Sequence, residues 1–441
     1  MPTRRRSRDI VATIVIAALL AFGGRFGRRA ALRGVLSALL AGLVARVLGS
    51  DRTHARWTAR HAAFATGVGL ESPGWGRVLA AGSGAAGIVA RRPDRGDRRG
   101  PTDALVGTAV GTSIALVSRR WWPVASREPA AVRRPRGSDV VPVGADGEGL
   151  AVVVNPGAGP ALSGNPAPAL REALPAADII ELGDGDDVIE LARAAAASAR
   201  VLGACGGDGT LNAVASVALD HGLPFLAVPG GTLNHFARDI GLATVDDAIA
   251  AVRTGRVAEI DVGVLADRRF LNTASFGAYP ELVDARERLE SRIGKWPALA
   301  WSLVHVLRHA SPCRVDLDGV RHDVWMVFIG NCAYEPAGFA PSWRERLDDG
   351  QLDLRLVDAR HPWARTRLVA AVLTGTLARS RVHEQRLVRR MDVTSHDGAL
   401  RLATDGETFT GAAQFSIEKD PRRLRLVVAA GDDDEDGERV P

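Results

Sequence analysis

Three glycine-bearing segments carry the chemistry this chain can do: NPGAG at 155–159, GGDGT at 206–210 and GGTLN at 230–234. Each ends an apolar run that reads as a strand, which places all three on the sheet edge where open α/β folds bind ligands. Glycines there let backbone N–H groups approach phosphate oxygens, and three such turns in register describe a cradle for a polyphosphate. No GxxxxGK[ST] segment exists and neither lysine, Lys295 or Lys419, lies near these turns, so a P-loop is excluded. Charge neutralisation falls instead to backbone amides, to Arg238 and to a divalent cation. Asp208, fixed between two glycines, is placed to hold Mg²⁺ against phosphate oxygens.

Two other acidic turns lie downstream. DGE at 405–407 separates the runs LRLAT and TFTGAAQFSIE and, on local evidence, is an ordinary Asp-Gly turn. RLDDGQLDLRLV gathers Asp348, Asp349 and Asp353 around Gly350, a pattern that suits a hairpin and also a Mg²⁺ chelate. Cys205, Cys313 and Cys332 are too far apart for a disulfide framework or a CxxC metal site; among the ten His, HxxxH spacing occurs once, at His305 and His309, and HExxH is absent. A zinc site is therefore not expected, and a reducing cytosol suits the catalytic part.

The elements that must position these turns alternate strand and helix from Leu150. LAVVV, DIIEL, RVLGAC and PFLAVP read as strands; DDVIELARAAAASAR, LNAVASVALDHG and TVDDAIAAVRTG read as the helices between them, an open α/β sheet. After Val257 short β-rich runs take over, among them VAEIDVGVL, RFLNTASFGAY, DVWMVFIGNCAY, LDLRLVDA and RLRLVVAA, at intervals typical of an antiparallel sandwich. Helical insertions at 279–310 and 362–381 interrupt it. Their apolar residues (Leu299, Leu303, Val306, Leu307; Leu368, Val369, Val372, Leu373, Leu377) belong to core or line a cleft for a greasy substrate.

Charge is divided along the chain. Residues 1–150 carry 24 Arg against 10 acids, a charge of +14 that leaves −9 for residues 151–441. The acidic catalytic part offers no broad phosphate-binding face, which argues against a nucleic-acid partner. The basic part interleaves arginine clusters with apolar stretches at 10–24, 34–45, 62–70, 78–90 and 104–118, each shorter than the roughly 20 residues of a comfortable span. With flanking arginines snorkelling, three or four of them reach across a bilayer, and the first is expected to be a retained membrane segment, not a cleaved signal. Trp121 and Trp122 beside Arg119 and Arg120 suit either an interfacial anchor or packing on the next domain. The expected organisation is thus a helical, transmembrane region at 1–120, a flexible linker at 121–149, an α/β nucleotide-binding domain at 150–257, a β-sandwich domain at 258–430 and an acidic tail at 431–441.

NPGAG, GGDGTLN, PGGTLNHFAR, FLNTASFG, DDGQLDL and DGE, in this order over residues 150–428, resemble the diacylglycerol kinase catalytic family of lipid kinases. The resemblance implies a two-domain fold with ATP between the α/β domain and the sandwich, and phosphoryl transfer to a lipid hydroxyl, in the first place that of diacylglycerol. It implies that Asp208 with Gly206, Gly207 and Gly209 holds nucleotide phosphates and Mg²⁺. Asn155, Pro156, Gly157, Gly159, Thr210, Gly231, Thr232 and Asn234 complete the nucleotide site, Asp349 holds a structural Mg²⁺, and Glu407 is the general base. One departure stands out: many relatives carry Asp after the Asn of GTxN, where this chain has His235.

The first 120 residues resemble the phosphatidic acid phosphatase type 2 membrane domain through ATGVGLESP and PTDALVGTAVGTSIALVSRRWWPV. That family's nucleophilic His precedes an Asp by four residues; here Arg99 precedes Asp103, PSGH is absent and no lysine occurs. The resemblance therefore implies a degenerate anchor without phosphatase activity. With ATP as co-substrate and arginine-dense segments at both ends of the membrane region, the catalytic part is expected on the cytoplasmic side of the cell membrane. The expected partners are the bilayer and its lipid substrate. A kinase of a soluble acceptor, similar to NAD kinases, and a catalytically silent membrane scaffold are the alternatives.

Overall fold

The computed structural model describes residues 24–47, 53–72, 100–120, 124, 128–134, 140–159, 165–231, 234–277, 311–337, 343–374 and 376–430. Two compact units divide the chain, Met1–Ala125 and Ser126–Pro441.

The first unit contains α1 (Gly24–Val47), α2 (Thr53–Glu71) and α3 (Gly100–Val117). Small residues let them approach closely: a Cβ at Gly67 would sit 3.0 Å from the Gly34 Cα, and one at Gly111 would collide with the Ala59 carbonyl. The unit buries an ion pair. Arg33 and Glu71, both buried, pair at 2.7 Å, Arg29 reaches the same carboxylate at 3.0 Å, and Arg33 donates to Ser118 Oγ. Apolar side chains face outward instead, with Leu39 62% and Val47 77% exposed.

Among the described residues one helix, over Arg29–Val47, is long and apolar enough to cross a bilayer. The apolar part of α3, Thr102–Val117, is shorter, and α2 carries Arg56, Arg60 and Glu71. The stretch at 78–90, nearly all of that at 10–24, and Trp121 and Trp122 lie outside the described residues.

The second unit opens with β1 (Leu150–Val154), β2 (Asp178–Glu181), β3 (Val201–Gly206) and β4 (Phe225–Pro229), parallel in the order β2-β1-β3-β4. β1, β3 and β4 are buried along their whole length, as central parallel strands covered on both faces must be. The connecting helices are α4 (Ala167–Ala173), α5 (Val188–Ala196), α6 (Asp208–His221), α7 (His235–Asp239) and α8 (Val245–Thr254). Local chemistry sets their ends. Asp187 caps α5 through Ile189 N, Gly222 stops α6 at φ +67, and Thr244 and Asp247 form a capping box on α8.

β5 (Arg256–Ile260) leads into the second sheet: β6 (Gly263–Leu265), β7 (Arg268–Phe270), β8 (Thr273–Gly277), β9 (Cys313–Leu317) and β10 (Val320–Asn331). β11 (Tyr334–Glu335) pairs only with β12 (Trp343–Arg344), and the sheet continues with β13 (Leu352–Asp358), β14 (His383–Val388), β15 (Arg390–Ser395), β16 (Arg401–Thr404), β17 (Glu407–Thr410) and β18 (Gln414–Lys419). The path β17-β16-β8-β10-β9-β15-β18-β6-β7 curls over one core containing Phe270, Phe276, Leu402 and Ile417. Its ends approach each other: Arg268, from β7, lies 4.3 Å from the centroid of Phe409, on β17.

Two expectations need correction. The last strand, β19 (Leu424–Val428), belongs to the first sheet and not to the sandwich, lying parallel to β4 and antiparallel to β5. Its five apolar-rich residues fit a buried strand of either sheet, so only pairing decides. The segment expected as a flexible linker is fixed at 130–133 and 140–141. Ala131 bridges to Arg346, Arg133 and Val140 bridge to Glu259 and Arg256 on β5, and Ala130 and Val141 are buried. Of the insertion at 362–381, α9 (Ala364–Thr374) and a 3-10 turn at Leu377–Arg379 form, with Leu368 and Leu377 in a small core beside Trp325. The side chains of Val369, Val372 and Leu373, and the insertion at 279–310, lie outside the described residues.

Candidate active site

Four loops leave the carboxyl ends of β1, β2, β3 and β4 on the same edge, and a cavity of about 350 Å³ opens among the first three. Asn155, Pro156 and Gly157 line it from the loop after β1, and Gly209 and Thr210 from the first turn of α6. Glu407 closes it from β17, so both sheets contribute. Asn155 ties the cradle together: its Nδ2 donates to Thr210 Oγ1 at 3.2 Å while its Oδ1 accepts from Gly157 N at 3.1 Å.

Glycine is required for space at Gly231, where a Cβ would stand 2.5 Å from the Gly207 Cα; a Cβ at Gly209 would stand 2.8 Å from Glu407 Oε1, the movable end of a side chain. A Cβ at Gly207 would meet nothing within 4 Å, so that backbone faces open space. No side chain caps α6 at Gly207, which leaves first-turn N–H groups available to an anion at the positive end of a fourteen-residue helix. The third turn closes on itself: Asn234, at φ +49, accepts from Gly231 N and donates to Gly231 O, both at 2.8 Å.

Asp208 begins α6 and reaches across to α7. Its Oδ2 accepts from His235 N at 3.3 Å, and its Oδ1 from Phe236 N at 3.2 Å and Asn272 Nδ2 at 3.3 Å. Three donors leave one of the carboxylate's roughly four lone-pair sites for a further ligand. Asn272 also accepts from Arg344 at 2.9 Å, and Arg344, wholly buried, pairs with Asp239 at 2.8 Å. Asp208 is thereby fixed from the second sheet through a chain of polar side chains.

The DGE turn is more than a connector. Asp405 accepts from the backbone N–H groups of Leu271, Asn272 and Thr273 at 2.7, 2.9 and 2.9 Å, pinning the turn to the start of β8. Burial pushes this carboxyl up to about 7; the three N–H donors oppose the shift and the charge of Asp208 adds to it. Asp405 and Gly406 both have positive φ, +46 and +92, and this tight turn delivers Glu407 to the cavity.

The structure thus gathers Asn155, Pro156, Gly157, Gly209, Thr210 and Glu407 around one cavity, with Gly206, Gly207, Gly231 and Asn234 shaping the adjoining turns. Gly206 O accepts from Gly230 N; Gly159 follows in the first loop without lining the cavity, and Thr232 lies outside the described residues. The sequence reading missed the loop after β2, where Leu182, Gly183, Asp184 and Asp186 form one wall. Its signal was the run GDGDD directly after a strand. Asn272 stood unassigned within FLNTASFG, and Arg344 carried no local signal.

Asp349 sits elsewhere, with Asp261 and Cys332, their ligand atoms within 4.8 Å of one another. Both Asp349 oxygens accept backbone N–H groups, from Ala333 and Gln351 at 2.8 Å each, and Asp261 accepts from Gly350 N at 2.7 Å. Lys419 stands 3.7 Å from Asp261 and donates to Cys332 Sγ at 3.3 Å and Asn331 Oδ1 at 2.5 Å; Arg423 lies 3.4 Å from Asp261. Burial pushes the Cys332 thiol up to about 11 against the pull of Lys419, so it stays protonated. Asp261 already faces two cations and the third member of the group is a neutral thiol, a set that does not fit Mg²⁺, which demands oxygen ligands. Asp208, beside an open cradle, does.

Residues 149–265 match the diacylglycerol kinase catalytic domain and residues 282–428 match the YegS C-terminal NAD kinase beta sandwich-like domain. A probable lipid kinase YegS-like of Pseudomonas aeruginosa (strain UCBPP-PA14) is 30% identical over 259 residues, covering 57% of this chain and 83% of the relative. A diacylglycerol kinase of Staphylococcus saprophyticus is 30% identical over 182 residues, 40% of this chain and 59% of the relative. The crystal structure of a putative diacylglycerol kinase from Bacillus anthracis str. Sterne shares the fold, with a TM-score of 0.50 at 21% identity over 64% of this chain and 97% of that one.

Proposed function

This chain belongs to the diacylglycerol kinase catalytic family of lipid kinases, and on that premise we propose that it transfers the terminal phosphoryl group of ATP to the hydroxyl of a membrane lipid, diacylglycerol giving phosphatidic acid. The observation that carries the reading is the convergence on one cavity of the uncapped α6 terminus, the Asn155–Thr210 pair and the Glu407 carboxylate.

In this reading the first-turn N–H groups of α6 bind phosphate oxygens, and Asn155 and Thr210 fix their orientation. Asp184 or Asp186 accepts from ribose hydroxyls at the end of β2, a position where open α/β folds often carry an acid for that purpose. Asn272 and Arg344 hold the Asp208 carboxylate in place. Asp208 would hold a Mg²⁺, which would supply neutralisation of the charge on the transferring group. Glu407 takes the proton from the lipid hydroxyl as its oxygen bonds to the terminal phosphorus and the bond from that phosphorus to the departing ADP breaks, a late proton transfer because the transition state is loose.

The first unit serves in this reading as the membrane anchor. Its buried Arg33–Glu71 pair and outward Leu36, Leu39 and Leu43 match what a lipid environment favours. The arginine-dense ends favour a cytoplasmic catalytic part. Mass spectrometry of products after incubation with ATP and a total lipid extract, with NAD in parallel, tests the proposal. Phosphate appearing on NAD and on no lipid refutes it.

A further inference from the structure

The surface at the start of α9 is built for a water–lipid boundary. Trp363 is 80% exposed at φ +59, a conformation that costs an aromatic residue strain and turns its ring away from the fold. Backbone bonds hold it there: Ala364 N donates to His361 O at 3.1 Å, and Arg367 N donates to Trp363 O at 2.9 Å. Beside it a hollow of about 310 Å³ lies between Trp363 and Trp325, with Arg365 and Thr366 on its rim. The Arg365 guanidinium sits 5.7 Å from the Trp325 ring centroid. Residues 358–381 carry five Arg and one acid, Asp358, within a part of the chain whose net charge is −9.

We propose that this face, Trp363 with Trp325, Arg365 and Arg367, is where the catalytic unit docks on an anionic phospholipid bilayer. The inference deepens the reading of the chain as a lipid kinase and rests on it for its purpose. An exposed indole beside guanidinium groups is the pair that settles at headgroup depth, ring toward the acyl chains and cation toward phosphate. A protein partner would not require the local charge to oppose that of the surrounding chain; an anionic surface does. The face is also connected to the active site. β8 starts at Thr273, whose N–H binds Asp405, and ends at Gly277, packed against the Trp325 carbonyl. That strand spans about 14 Å, roughly half the hydrocarbon thickness of a bilayer.

The test uses the full chain reconstituted into phosphatidylcholine vesicles with and without about 30% phosphatidylglycerol. An environment-sensitive fluorophore is attached at Thr366→Cys or, for comparison, at the exposed Glu190→Cys on α5, in a Cys313→Ser background because Cys205 and Cys332 are buried. Quenching by a lipid spin-labelled near its headgroup should be at least about 3-fold stronger at 366 than at 190 in the anionic vesicles, and should weaken without phosphatidylglycerol or with Trp363→Ala. Equal quenching at the two positions, or quenching indifferent to the anionic lipid, overturns the proposal. Quenching as expected with no lipid phosphorylated leaves the docking face standing and defeats the kinase reading instead. If both stand, Trp363→Ala should raise the KM for lipid, as surface mole fraction, about 3- to 10-fold with kcat nearly unchanged.

Discussion

Two acidic corners of the second unit are assembled from similar parts and end in opposite electrostatic states. At the corner of Asp208 and Asp405 the hydrogen bonds come from amides, namely the backbone of residues 235, 236 and 271–273 and the Asn272 side chain. At the corner of Asp261 and Asp349 backbone amides also serve, but Lys419 and Arg423 add full positive charges. Amide donors orient a carboxylate without cancelling its charge; an ammonium at salt-bridge distance cancels it. The first corner therefore keeps a negative potential next to the open phosphate cradle, which is the condition for drawing in a cation with its phosphates. The second is internally neutral and serves the fold.

The largest effect expected from breaking this contrast is at Glu407, the carboxylate that the Asp405 turn delivers to the cavity. Glu407→Gln keeps the shape and removes the base, so turnover should fall about 10²- to 10⁴-fold while ATP affinity, measured by calorimetry, changes little. Normal turnover by that variant would remove Glu407 from the mechanism. The next effect is on stability. Lys419→Met keeps the apolar stem and deletes the charge, leaving Asp261 under-compensated at a site where the lysine side chain is 13% exposed. Denaturant titration should show a loss of about 2–4 kcal/mol, recovered in part by Zn²⁺ or Mg²⁺ as the vacated corner acquires a use for a cation. The same loss with no metal response would mean that Lys419 only packs.

Asp405 gives a pH signature that separates the corners further. Burial and then Asp208 raise its pKa to about 7 in the fold, despite three N–H donors, from an ordinary value of 3.8. The folded state therefore binds a proton that the unfolded state has already released between those limits. This group's contribution is fully present below about pH 4 and declines as pH rises toward 7, by an amount on the order of 4 kcal/mol at most. Asp420 and Asp358 act oppositely. Burial raises both, yet their arginine and amide partners leave them lowered, so their contribution is lost on acidification. The variant Asp405→Asn isolates the first term: the wild-type-minus-variant stability difference, followed by urea unfolding, should shrink between pH 4 and 7. A pH-independent difference would show that the N–H donors hold Asp405 ionised throughout.

What the sequence made legible follows from the range over which each signal acts. The glycine turns could be read because strand, turn and helix are written within a dozen residues, and Gly231 does sit where a Cβ would run into the Gly207 backbone. Glu407 could not be placed by local reasoning, since its turn faces the cavity only through bonds from Asp405 to residues more than 130 positions away. Lys419 is 87 residues from the thiol it binds, and the neutral state of its corner is a property of the assembled fold. The sheet in which Leu424–Val428 lies was equally hidden, because an apolar run specifies burial and not its neighbour. Asn272 is the instructive case. It stood inside a quoted motif, yet an Asn gains meaning only when the carboxylate on one side and the guanidinium on the other are both present.

The smallest expected effect is the sharpest test of the comparison, because it is a null at one corner and a response at the other. If the Asp349 corner is closed by Lys419, EDTA should move the Tm of the nucleotide-free protein by less than about 1 °C, since no metal is lost from the native state. If the Asp208 corner needs a cation to accept phosphates, the Tm rise given by a non-hydrolysable ATP analogue should depend on Mg²⁺. At 100 times Kd that rise reflects about 2.7 kcal/mol, enough to be read as a shift of a few degrees. Destabilisation of the nucleotide-free protein by EDTA would mean that a metal shares the Asp349 corner with Lys419, and the two corners would no longer differ in kind. An analogue effect untouched by EDTA would mean that the α6 terminus binds phosphate unaided, and Asp208 would then be a brace between α6 and α7.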